Sequence, residues 1–116
     1  MDQSALVRDG RKLLRLLARQ KIAMRASALT FTDDRGWRLL LAPEKLDSKR
    51  AVYSQLATIL EPSDVLRQIR LWDIDLVGPN SEFVTDLPRL EPERSYENIR
   101  IGGEFYQEVI PLKPAP

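Results

Sequence analysis

A chain of 116 residues is the size of one domain, able to bury roughly 60–70 % of its unfolded surface around one modest core. Hydrophobic residues make up 43 % and charged residues 30 %, an ordinary globular balance, and the sequence contains neither cysteine nor histidine. In this chain those two absences exclude disulfides, thiolate chemistry, a histidine base and the usual zinc ligands, so a bound metal would need oxygen donors.

The net charge of +1 hides an asymmetry. Residues 1–58 carry 12 Lys/Arg against 6 Asp/Glu, whereas residues 59–116 carry 6 against 11. The chain is basic first and acidic second, which suits either two halves that offset each other or two surfaces for a charged partner. The lack of cysteine fits a reducing compartment. No signal-peptide core opens the sequence, and no run reaches the ~20 apolar residues of a membrane span. A cytoplasmic protein that does not contact a membrane is expected.

Ser4 can cap a helix running from about Ala5 to Gln20. At ~100° per residue, Leu6, Gly10, Leu13, Leu14 and Leu17 fall in one arc, with Val7 and Ala18 on its border. Arg8, Arg11, Lys12, Arg15 and Arg19 fall in the opposite arc, a stripe of about 16 Å, and Leu16 is the misfit near its edge. Arg8–Lys21 holds six cations and a single acid, Asp9. Solvated helices usually mix charge signs for i, i+4 pairing, so the stripe reads either as a wet face or as a phosphate-binding one. Gly10 costs about 1 kcal/mol inside a helix relative to Ala, and its place on the apolar arc predicts a close approach by another element.

Alternating residues over 25–32, the turn residues Asp33-Asp34-Arg35-Gly36 and the apolar run from Trp37 to Ala42 predict a β-hairpin. Leu29 and Phe31 share one face, as do Trp37, Leu39 and Leu41. Asp47 or Ser48 caps a second helix over 49–60, with Val52, Leu56, Ile59 and Leu60 as its apolar stripe and Pro62 as its stop. A helical turn over 63–68 is expected next. A strand over 69–77 follows, with Trp72, Ile74 and Leu76 on one face and Leu71, Asp73, Asp75 and Val77 on the other. A short helix capped by Asn80 or Ser81 and stopped by Pro88 precedes a polar loop over 89–98. A second hairpin over 99–112 turns at Gly102-Gly103.

The order α-β-β-α-β-(α)-β-β defines an α+β two-layer sandwich, a mostly antiparallel five-stranded sheet with two main helices on one face. Residues 1–112 form the domain and 113–116 a Pro-rich tail. If the last strand lies at a sheet edge, self-association is open to it, with Pro111 blunting the extension.

The function expected is a non-catalytic interaction or accessory role with no cofactor. The partner is a protein, a second copy or nucleic acid, met by Arg8, Arg11, Lys12, Arg15 and Arg19 or by the acidic second half. Glu91, Glu93, Glu97, Glu104 and Glu108 lack a fixed spacing and read as solubilising charge or as an acidic dock. The alternative is a metal-dependent phosphoryl-transfer or nuclease-type enzyme. Asp73 and Asp75, two apart on a strand, would point the same way and hold Mg²⁺, with Glu104 as a third carboxylate. Over five residues this stretch resembles the aspartate motif of nucleotidyltransferases, although the Gly-Ser pair that grips the triphosphate in that family does not precede it.

Overall fold

The computed structural model describes residues 3–61 and 66–113. The expected Pro62 stop, the start of the turn over 63–68 and most of the tail lie outside the described residues.

Helix α1 (Gln3–Arg19) forms where the sequence alternates leucine pairs with cations at helical spacing. Leu6, Gly10, Leu13, Leu14 and Leu17 are all buried. Gly10 meets Leu112: a Cβ at this position would lie 2.8 Å from Leu112 Cδ1, which is the expected close approach. The helix ends by turning Lys21 to φ 61°. Its N–H then reaches Ala18 O at 3.0 Å, and Ile22 N–H reaches Leu17 O at 2.9 Å, so two end carbonyls are satisfied.

Strands β1 (Met24–Thr32) and β2 (Gly36–Pro43) form the first hairpin. Its loop is three residues rather than four, because Gly36 at φ 72° already pairs with Thr32. Helix α2 (Lys49–Leu60) starts at Ser48, whose Oγ accepts from Ala51 N–H at 3.3 Å. It crosses back so that β3 (Ile74–Leu76) lies parallel to β2. Helix α3 (Glu82–Asp86) runs into a 3-10 turn over Leu87–Arg89 that contains Pro88. Strands β4 (Tyr96–Ile101) and β5 (Glu104–Pro111) are antiparallel and close at Gly102-Gly103. β4 starts inside the stretch expected to be loop.

The sheet order is β3-β2-β1-β5-β4, with one parallel pair and the rest antiparallel. Alternate strand residues face opposite ways. Leu29, Leu39, Leu41, Ile74 and Ile110 meet the leucines of α1 and Val52 and Leu56 of α2 on one face. Ala28, Leu40 and Val109 meet Phe83 and Leu87 on the other, so the two main helices share a face and the short α3 segment covers part of its reverse.

Two expectations are corrected. The last strand is interior, between β1 and β4, so Pro111 blunts no edge; it ends β5 opposite Ala28 and its carbonyl accepts from Glu93 N–H at 2.6 Å. The strand expected over 69–77 shrinks to three residues, because Leu71–Asp73 winds into a 3-10 turn. Asp73 Oδ2 accepts from Arg70 N–H at 3.0 Å, and Arg70 donates to the carbonyls of Leu66 and Arg67. This local capping competes with the strand ladder and wins. Trp72, expected on the same inward face as Ile74, is 72 % exposed.

Both sheet edges are poor templates for pairing with another chain. β3 is short, and its outward Ile74 carbonyl and Leu76 N–H are both met by the Tyr53 hydroxyl of α2, at 3.0 and 3.3 Å. β4 carries Asn98 at φ 51°, which breaks its regularity.

Candidate functional site

The apolar face of α1 is locked against the sheet, so its opposite face is held rigidly outward. Arg8, Arg11, Lys12, Arg15 and Arg19 are all exposed. Arg11 forms an ion pair with Glu93, whose side chain is 15 % exposed and whose backbone sits at φ 64°. Among the described residues no carboxylate pairs with Arg8, Lys12, Arg15 or Arg19. Of the five cations, only Arg11 has a carboxylate partner among the described residues.

Asp9, the lone acid in that run, is not part of the stripe. It is buried, and its Oδ2 accepts the backbone N–H of Gln68 and, at 3.1 Å, that of Ile69. It ties α1 to the segment that follows α2. The signal was present in the helix wheel: Asp9 falls about 40° from Leu13 and about 60° from Leu6, on the flank of the apolar arc.

The two aspartates expected side by side on one strand lie on different elements. Asp73 sits in the 3-10 turn and caps it, while Asp75 lies on β3. Asp75 receives Arg38 through two hydrogen bonds of 2.8 and 3.1 Å, and Arg35 at 3.0 Å. Burial pushes its carboxyl group up, but the hydrogen bonds and charge of Arg38, helped by Arg35, outweigh this and hold it below the ordinary carboxylate range. The Asp75 hydrogen bond in turn raises Arg38, against the opposing effect of burial. Burial, then the charges of Glu104 and Asp75, raise the nearby Tyr106 hydroxyl. Glu104 is exposed beside the Gly-Gly turn. Among the described residues no group of three or more acidic side chains is disposed to hold a metal ion.

Asp75 predicts a pH effect. Its folded-state pKa is depressed, so near and below the unfolded value of about 3.9 the unfolded chain binds more protons than the folded one. The stabilisation is complete above that value and is lost as the pH falls through the folded pKa. Urea midpoints measured from neutral pH to below about pH 4 are expected to fall less steeply in Asp75→Asn than in the parent. Equal slopes would show that the Arg38 contact does not survive in solution.

The acidic side chains of the second half have different surroundings. Glu93 is paired with Arg11, and Glu91 lies 3.5 Å from Arg94. Glu108 accepts from Gln3 and from Ser95 Oγ. Glu97 stands directly across from Glu108 on β4 and is exposed.

Among the described residues no helix is long and apolar enough to cross a membrane. The fold and surface define a small α+β protein with a cationic helix. No family profile, curated protein or solved structure matches the chain significantly.

Proposed function

We propose that this chain is a non-catalytic binding module that engages a polyanion, a nucleic-acid duplex, through the cationic ridge of α1. The observation that carries the reading is the outward stripe Arg8, Lys12, Arg15 and Arg19, with no carboxylate pairing any of the four among the described residues. Guanidinium groups bind phosphate oxygens in a bidentate fashion, and a rigid helix presents them without paying the ordering cost of a loop. A duplex backbone offers evenly spaced charge along a stripe of about 16 Å. The stripe carries no aromatic residue on which an unpaired base could stack, which favours backbone contact over single-strand readout. The metal-dependent alternative has weaker support, because Asp75 is already engaged by two guanidinium groups.

Binding to a mixed-sequence DNA duplex, followed by fluorescence anisotropy, tests this. Contact by the four cations gives log K falling against log salt with a slope of about −4. Replacing Arg15 and Arg19 with Gln together is expected to reduce the magnitude of that slope by about 2. No binding to duplex DNA or RNA at low ionic strength would remove nucleic acid as the partner and leave an acidic protein surface.

A further inference from the structure

A concavity of about 420 Å³ opens between the C-terminal half of α1, the start of β1 and the segment that runs on from the Leu87–Arg89 turn. That volume lies within the range of small-molecule sites, roughly 300–1,000 Å³. Leu14, Met24, Leu87, Leu90 and Leu112 give it an apolar body. Two cations, Lys21 and Arg25, stand in its wall, and no Asp or Glu does.

Among the described residues neither cation has a carboxylate partner. Arg25 Nη1 reaches only neutral acceptors, the Pro79 carbonyl and Asn80 Oδ1, each at 3.3 Å. Lys21 occupies the position just past α1 that glycine normally takes, at φ 61°. A lysine there is strained, since the left-handed region favours glycine. A cation after the last turn offsets the partial negative charge of the helix end, which by itself would repel an anion.

We propose that this groove binds a small amphiphilic anion, an aliphatic carboxylate whose chain lies along the leucines and whose carboxylate meets Lys21 and Arg25. The site is separate from the ridge, since none of Arg8, Arg11, Lys12, Arg15 and Arg19 lines it.

The test uses the full chain with two probes of equal chain length, decanoate and decanol, titrated by calorimetry. Decanoate is expected to bind more tightly than decanol. Lys21→Gly combined with Arg25→Gln weakens decanoate about tenfold and leaves decanol unchanged. Lys21→Gly alone raises the thermal midpoint, because it relieves the left-handed backbone, while weakening decanoate. A purely structural lysine would not separate those two readouts. Ala18→Trp, an exposed position on the rim, blocks both probes.

Equal affinity for the two probes, or decanoate binding untouched by these substitutions, overturns the proposal. So does a dimer in sedimentation that Ala18→Trp dissociates in a protein that takes up no decanoate, which assigns the groove to a second copy.

Discussion

Asp9→Ala is expected to destabilise the fold by about 2–4 kcal/mol, read from urea or thermal unfolding. Hydrogen bonds from backbone N–H groups to a charged acceptor are worth about 1.5–3 kcal/mol each, and a buried donor left without a partner adds its own penalty. Two such donors, on Gln68 and Ile69, converge on the Asp9 carboxylate, and Ile69 is buried, so water does not readily replace the acceptor there. Alanine is the better helix former by several tenths of a kcal/mol, and this offsets only a small part of the loss. Asp9→Asn keeps one oxygen acceptor without the charge and is expected to recover about half. Because the side chain points inward, duplex binding by folded Asp9→Asn is expected to match the parent. A loss below about 1 kcal/mol in Asp9→Ala would mean that the segment after α2 finds other acceptors.

Gly102→Ala is the second large effect, again about 2–4 kcal/mol, and it arises from two separate causes. The residue sits at φ 60°, where a Cβ costs roughly 1–2 kcal/mol. That Cβ would also lie 2.9 Å from the backbone nitrogen of Phe83, an atom that does not move aside as a side-chain tip does. The same glycine donates its N–H to Asp86 Oδ2 at 2.9 Å, so a shift in the turn also pulls on α3. Gly103 provides the contrast. Its φ is 80°, but an added Cβ would meet nothing closer than Glu82 Oε2 at 3.7 Å. Gly103→Ala is therefore expected to cost about 1 kcal/mol, the backbone contribution alone. Equal losses at the two positions in denaturant unfolding would mean that the contact with Phe83 has no energetic weight.

The proposed duplex binding and groove binding rest on different residues, which keeps their tests independent. Variants at Arg15 and Arg19 address the ridge, and variants at Lys21 and Arg25 address the groove. Failure of one leaves the other standing.

Sequence periodicity alone was enough for α1, α2, the first hairpin and the glycine turn. Each of these elements is set by near neighbours: leucines at helical spacing, Ser48 ahead of an apolar stripe, glycines where positive φ is needed. The outward stripe was legible for the same reason, since a helix with one apolar arc must turn its cations to the other side. Residues 69–77 misled because alternation of apolar and charged residues suits a strand, yet Asp73 had a nearer partner in the Arg70 N–H.

What the tertiary structure alone decided is where distant segments meet. Nothing local in the sequence says that β5 pairs with β1, leaving it interior, or that Arg38 and Arg35 close on Asp75. Nor does it say that Asp9 reaches a segment 59 residues away, or that Leu112 drops onto Gly10. Local pattern chooses the elements, because backbone sterics and hydrophobic period act over a few residues. The sites depend on long-range packing, which joins residues whose separation in the chain carries no periodic signal.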